Sequence, residues 1–229
     1  MIDNLLLAAI VIPCLVVAIV FHEVAHGWVA LALGDPTAQE RNRLSFNPAS
    51  HVDPIGTLVV PGALWLFGGP IFGWAKPVPV LAHRLRNPRY GMMAVAAAGP
   101  AMNFVLALFG AVVLGLLLAF VFPAQMTEPG VVVQALFAFI LINLFLAIFN
   151  LLPIPPFDGG HIVQGLLPRS LEIHWAKVQQ FGILVLVLLI AASWAFPQWD
   201  LIGRFIGPPV DLAMEWYLGV AQDVAQTFS

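Results

Sequence analysis

Charged residues are scarce in this sequence, since Asp, Glu, Lys and Arg make up only 9% of its 229 residues. Soluble domains carry about 25% charged residues, so a soluble globular fold is excluded. Hydrophobic residues make up 61% of the chain, and several apolar runs are long enough to cross a hydrocarbon core of about 30 Å. The composition therefore predicts an α-helical polytopic membrane protein.

Cysteine and basic clusters are also rare. Cys14 is the only cysteine, which excludes an internal disulfide and a zinc site built from several thiolates. The nine Lys and Arg residues form no dense patch of the kind that binds nucleic acid. Nucleic acid is therefore not an expected partner. For a chain of this apolar composition, the expected partners are the lipid bilayer and other membrane proteins.

The apolar runs predict a core of three transmembrane helices with one or two further C-terminal helices. Within a domain of residues 1–196, we expect spans at residues 4–33, 91–122, 131–152 and 178–196. Residues 54–75 are also uncharged, but they contain eight Pro and Gly residues. That density of helix breakers favours a re-entrant β-hairpin or loop over a crossing. The tail, residues 197–229, is expected to lie at the interface or to cross the membrane.

Basic residues are unevenly distributed, which predicts the orientation in the cell membrane. Six of the nine lie between residues 41 and 89: Arg41, Arg43, Lys76, Arg84, Arg86 and Arg89. Because Lys and Arg concentrate in cytoplasmic loops, we expect this segment to be cytoplasmic. The N-terminus and the loop at residues 123–130 are then outside. The alternation of polar and apolar residues from Arg43 to Phe46 predicts a short strand.

The first apolar run carries three ionisable side chains, His22, Glu23 and His26, and no other charge between Leu5 and Asp35. A carboxylate near the bilayer centre costs roughly 2.5 kcal/mol or more, so a function is indicated. His22 and His26 are four residues apart and share one face of a helix. This spacing lets two imidazoles bind one zinc ion beside a glutamate that acts as general base.

A hydrolytic zinc site needs a third protein ligand and an open position for water. Asp158, His161, His51 and Glu172 are the candidates. Asp158 is favoured because it follows the third span in a segment rich in Pro and Gly, where the backbone can pass close to a site. If residues 54–75 do not cross, the first and third spans end on the same side. Asp158 then lies at the depth of the two histidines, toward the cytoplasmic side.

Three ordered motifs resemble the site-2 protease family of zinc-dependent intramembrane metalloproteases, in its short microbial branch. They are His22-Glu23-Val24-Ala25-His26, Gly99-Pro100-Ala101-Met102-Asn103 and residues 150–160, with further matches at Asn47-Pro48, residues 51–56 and residues 73–80. The resemblance covers about residues 15–165. Phe157 departs from it, because the family usually has Leu before the aspartate.

The resemblance implies one Zn²⁺ per chain and a set of site residues drawn from these motifs. The metal ligands would be His22, His26 and Asp158, the catalytic residue Glu23, and the substrate or oxyanion contacts Asn103 and Asn150. For the two asparagines, interhelical hydrogen bonding is the alternative interpretation.

The expected function is hydrolysis of peptide bonds in the transmembrane segments of membrane proteins. A catalytically silent relative that acts as a membrane chaperone or regulator is one alternative, but it would not need Glu23 between the histidines. A metal transporter is less favoured, because the second to fourth predicted spans carry no charge. An unwound substrate could pair with the predicted strand near residues 41–47.

Overall fold

The structure is a computed structural model that describes residues 2–66, 73–121, 130–199 and 201–228. All regular secondary structure in these ranges is helical. The α-helices are α1 (Ile2–Ala32), α2 (Thr37–Glu40), α3 (Val60–Leu66), α4 (Pro88–Phe120), α5 (Val131–Asn150), α6 (Asp158–Leu166), α7 (Arg169–Gln179), α8 (Gly182–Ala195) and α9 (Leu201–Phe228).

Three helices are long and apolar enough to cross a membrane: α1 from Leu5 to Ala32, α4 and α5. Their ends lie within three residues of the predicted spans. The backbone N–H and C=O groups of such helices bond to one another, because the hydrocarbon of a bilayer offers them no hydrogen-bond partners. The protein is therefore a helical multi-pass membrane protein, as predicted.

Helix α4 lies at the centre of the molecule and packs against α1, α5, α6 and α9. Small residues on α4 let its neighbours approach closely, which is the usual basis of helix packing in membranes. The main core forms where α4, α5 and α9 meet, and its buried members include Ala107, Ala111, Leu114, Ile140, Leu144, Tyr217 and Ala221.

The described part of the C-terminal tail consists of a 3₁₀ turn at Pro197–Trp199 and one long helix, α9, which packs along α4 and α5. Tyr217 is buried there, and its hydroxyl donates a hydrogen bond to the Phe104 carbonyl at 3.2 Å. Helix α9 is not among the three spanning candidates of the described residues. The tail is thus part of the helical core, while its placement relative to the bilayer stays a prediction.

The predicted fourth span, residues 178–196, is divided between two helices. Helices α7 and α8 are bent by 58° at the break between them, and they amount to a crossing only if they are taken as one bent span. Helix α8 has 14 residues, which is about 21 Å at 1.5 Å per residue. At its start, a Cβ on Gly182 would lie 2.9 Å from the Cβ of Pro155, so α8 packs directly on the segment that precedes Asp158.

The strand predicted near residues 41–47 is wrong, because this segment forms turns. Asn42 has a φ of 52°, in the left-handed region, and the Arg43 N–H donates back to the Ala38 carbonyl at 2.8 Å. Asn47 then caps a 3₁₀ turn by accepting a hydrogen bond from the Ala49 N–H at 3.0 Å. These local bonds occupy the backbone groups that a strand would need for pairing.

The two described ends of the segment at residues 54–75 lie side by side. The Trp74 N–H donates to the Gly56 carbonyl at 3.0 Å, and the Lys76 N–H donates to the His51 carbonyl at 2.9 Å. Its described first half is helical, with a π-helical turn at Pro54–Val59 followed by α3. The β-hairpin form is therefore not seen in the described part, while insertion into the membrane stays a prediction.

Two parts of these predictions lie outside the described residues. They are residues 67–72 of the predicted re-entrant segment, and residue 122 with residues 123–129 of the predicted outer loop.

The contact between α4 and α9 predicts a contrast between two glycines. A Cβ on Gly115 would lie 2.7 Å from Val224 Cβ and would also meet the Ala221 carbonyl, whereas a Cβ on Gly219 meets nothing within 4 Å. Gly115→Ala should therefore destabilise the protein by about 1–3 kcal/mol through overpacking. Gly219→Ala should be neutral or stabilising by up to about 1 kcal/mol. Thermal unfolding in detergent measures both, and equal midpoints would contradict the close packing.

Candidate metal centre

Helix α1 presents His22 and His26 to α4, where both side chains are buried. Gly99 on α4 lies directly opposite them. A Cβ at this position would be 2.5 Å from the Nε2 atoms of both histidines. Only glycine therefore lets the two imidazoles occupy the space between α1 and α4.

Asp158 reaches the same place from another element, at the first residue of α6. Prolines at 153, 155 and 156 prevent the preceding segment from continuing α5 as a helix. Phe157, the departure from the family pattern, is buried and packs edge-on against Phe149 with ring centroids 4.4 Å apart. The larger side chain is thus accommodated beside the aspartate.

The three predicted ligands converge on one point. Oδ2 of Asp158 lies 3.1 Å from Nε2 of His22 and 3.4 Å from Nε2 of His26. Zinc bonds of about 2.0–2.2 Å in a tetrahedron place neighbouring ligand atoms about 3.3–3.6 Å apart. Oδ2 is also buried without a hydrogen-bond partner in the described part of the chain. The spacing and the unpaired carboxylate oxygen both fit a zinc ion.

Hydrogen bonds behind the imidazoles establish which ring nitrogens carry protons. Nδ1 of His22 lies 2.6 Å from Oδ1 of Asn103, and Nδ1 of His26 lies 2.7 Å from the Val95 carbonyl. Both oxygens only accept, so each Nδ1 donates its proton. Each Nε2 then points its lone pair toward Asp158, which is the tautomer that binds a metal through Nε2.

A cavity of about 320 Å³ opens beside these ligands and is also lined by Glu23. Oε2 of Glu23 accepts a hydrogen bond from the Val78 N–H at 2.7 Å. Proline has no backbone N–H, so between Pro77 and Pro79 the Val78 amide is the only donor. The segment at residues 77–80 thus borders the cavity and holds the Glu23 carboxylate.

Both ends of this segment are held by buried polar side chains. At one end, Nη2 of Arg43 donates to the Lys76 carbonyl at 2.7 Å. At the other, the Leu81 N–H donates to Oδ2 of Asp35 at 2.6 Å, and Thr37 donates to Oδ1. Burial would raise the pKa of Asp35, but these hydrogen bonds lower it below its usual value. An ionised Asp35 therefore fixes the segment against the end of α1.

The two predicted asparagines occupy different places. Asn103 is fully buried behind His22, and its Nδ2 donates to the Ala18 carbonyl at 3.2 Å and to Oδ1 of Asn143 at 2.8 Å. Its donors are thus engaged between helices, and a contact with substrate stays a prediction. Asn150 does line the cavity, and its Nδ2 donates to the Leu146 carbonyl at 2.9 Å.

The other candidates for the third ligand lie outside the cluster of His22, His26 and Asp158. His161 lines the same cavity one turn after Asp158. His51 is buried with its Nε2 2.7 Å from a backbone carbonyl, and Glu172 lies 3.8 Å from Arg89.

Three groups that hold the site were not predicted from the sequence: the Val95 carbonyl, the Val78 N–H and the side chain of Asn143. A sequence does not show which backbone groups will form such hydrogen bonds. Asn143 could have been found, because an amide in the middle of an apolar helix is expected to find a hydrogen-bond partner on a neighbouring helix.

Comparisons with known proteins identify the family of the chain. The profile of "Peptidase family M50" matches residues 115–193. The chain is 35% identical over 189 residues to "Putative zinc metalloprotease YwhC" of Bacillus subtilis, covering 82% of this chain and 83% of the relative. It is 30% identical over 190 residues to "Putative zinc metalloprotease Rip2" of Mycolicibacterium smegmatis, covering 83% and 69%. No solved structure matches the chain.

Three apolar helices around a cluster of two histidines and an aspartate define a membrane metalloprotease. The chain belongs to peptidase family M50, the site-2 protease family of metallopeptidases. The names of its relatives imply that zinc is the metal.

The close approach of α4 predicts that Gly99→Ala disrupts the metal centre. The new Cβ would displace both imidazoles, so the affinity for zinc should fall by about tenfold or more. Gly110→Ala is the matched control, because the atoms nearest to its Cβ would be side-chain atoms of α5, the closest at 3.0 Å. Competition with a chromophoric chelator measures zinc affinity in detergent. Equal affinity in Gly99→Ala and the wild type would contradict the packing.

Proposed function

We propose that this protein is a zinc-dependent endopeptidase that cleaves peptide bonds within the transmembrane segments of other membrane proteins. One observation carries the proposal: three convergent ligand atoms share a cavity with Glu23 inside a bundle of membrane-length helices. His26 and His22 precede the end of α1 at Ala32 by six and ten residues, which is about 9 and 15 Å along the axis. This depth supports a reaction inside the apolar layer, with one zinc ion per chain.

The residues around the cavity suit hydrolysis of an amide. A zinc ion at this site would acidify water and polarise a carbonyl group. The Glu23 carboxylate would take the proton from water as it attacks the peptide carbonyl, then return that proton to the leaving amine. Asn150, which lines the cavity, is the residue we assign to holding the substrate backbone or the oxyanion.

The orientation and access that we propose follow from the charges and the cavity. Six basic residues between residues 41 and 89 favour a cytoplasmic position for that segment and an outer position for the N-terminus. Water would then reach the zinc from the cytoplasmic side. A helical substrate must unwind locally, because its carbonyl groups are otherwise engaged in the hydrogen bonds of the helix.

The decisive experiment compares the wild type with Glu23→Gln on a panel of membrane-helix substrates in reconstituted vesicles. Glutamine cannot accept the proton, so cleavage should be lost while about one zinc per chain is retained by metal analysis. Glu215→Gln makes the same change at an exposed position of α9 and should cleave normally. Cleavage that survives in Glu23→Gln, or a wild-type protein that takes up no zinc, would refute the proposal.

The hydrogen bond from Val78 to Glu23 predicts a selective loss of turnover in Val78→Pro. The residue before a proline is already held near the extended region, which a proline can adopt, so the change removes mainly the N–H. A hydrogen bond to a charged group contributes about 1.5–3 kcal/mol, so kcat should fall by about tenfold or more. Zinc affinity should be unchanged.

Val78→Ala shortens the same side chain but keeps the N–H, so it is the control for lost packing. If Val78→Ala and Val78→Pro reduce kcat equally, the amide is not what holds Glu23 in place.

A further inference from the structure

Asn143 is a buried polar side chain that the proposed chemistry does not use. It lies on α5, one of the three membrane-length helices, and is fully buried. It does not line the cavity. An amide in an apolar interior destabilises the fold unless its hydrogen bonds are made, so its partners show what it does.

Both ends of the Asn143 amide are engaged. Its Nδ2 donates to the Phe139 carbonyl at 2.8 Å, one turn earlier on α5. Its Oδ1 accepts a hydrogen bond from Nδ2 of Asn103 on α4 at 2.8 Å. Asn103 in turn places its own Oδ1 2.6 Å from Nδ1 of His22 on α1. One chain of hydrogen bonds therefore links α5, α4 and a metal ligand.

The direction of this chain is determined by backbone carbonyls. Nδ2 of Asn143 faces the Phe139 carbonyl and Nδ2 of Asn103 faces the Ala18 carbonyl, and a carbonyl can only accept. Neither amide can be reversed without placing two acceptors, or two donors, against each other. Oδ1 of Asn103 must then face His22, and Nδ1 of His22 must carry the proton.

We propose that Asn143 is a positioning residue for the metal ligand His22 and acts on it through Asn103. By accepting from Asn103, it prevents that amide from turning its N–H groups toward the imidazole. A reversed amide would favour the other tautomer, in which Nε2 is protonated and cannot bind metal. The inference rests on the proposed zinc ligands, but it is tested by zinc binding without any substrate.

The test measures zinc affinity by chelator competition and records the absorption spectrum of the cobalt-substituted protein. Asn143→Leu keeps the size of the side chain but removes the acceptor, so it should weaken zinc binding by about 10- to 100-fold and alter the cobalt spectrum. Asn143→Asp should restore both, because a carboxyl group buried among apolar side chains is neutral and can accept from Asn103 while donating to the Phe139 carbonyl. Leu144→Ala, a neighbouring core truncation, should leave the spectrum unchanged.

A double-mutant cycle shows whether the effect passes through Asn103. If it does, adding Asn143→Leu to Asn103→Leu should cause no further loss of zinc affinity. Should the Leu variants fail to fold, ¹⁵N NMR of the ring nitrogens in the wild type still reports the tautomer, with His22 assigned by comparison with His22→Gln.

Three results would overturn the positioning role alone: unchanged zinc affinity in Asn143→Leu, an equal loss in Leu144→Ala, or a proton on Nε2 of His22. A wild-type protein that binds no zinc would instead refute the metal site itself.

Discussion

The convergence of two imidazole nitrogens and a carboxylate oxygen is the interaction on which the rest of this structure depends. All three atoms carry lone pairs, and they face one another within 4.8 Å in a buried site. Without a cation between them, such groups repel and lose their hydration. The surrounding helices must hold them in place. Gly99 on α4 has no side chain, and this leaves the space that the two imidazoles occupy.

A membrane bundle has few free backbone groups with which to orient such a site, because its helices engage nearly all of them. This protein orients its site with a combination of side-chain, helix and loop groups. Oxygen atoms from α4, one on a side chain and one on the backbone, accept from the two imidazoles. The Val78 N–H, between two prolines outside the helices, is bonded to Glu23. The segment that carries it is tied to Asp35, just beyond α1.

Where the sequence predictions agree with the structure and where they do not, the causes are specific. The three long spans agree with the structure within three residues, because an apolar run of about 20 residues is what a membrane crossing requires. The strand near Arg43 failed because four alternating residues also fit a turn, and its side chain is used to bind the Lys76 carbonyl. For Asn103, the family resemblance implies a contact with substrate or oxyanion, and interhelical hydrogen bonding is the alternative. Its position behind His22 depends on how α4 packs on α1.

The sequence alone determined that the helices of the chain lie in a membrane and which residue types form its site. Apolar runs specify membrane helices, and His22 and His26 share a helix face because 3.6 residues make a turn. Tertiary structure alone decided where Asp158 meets them and which way each amide points. Asn103 and His22 are 81 residues apart, and Asn103 and Asn143 are 40 apart. The direction of a hydrogen bond between such residues is determined by helix packing, which no local pattern records.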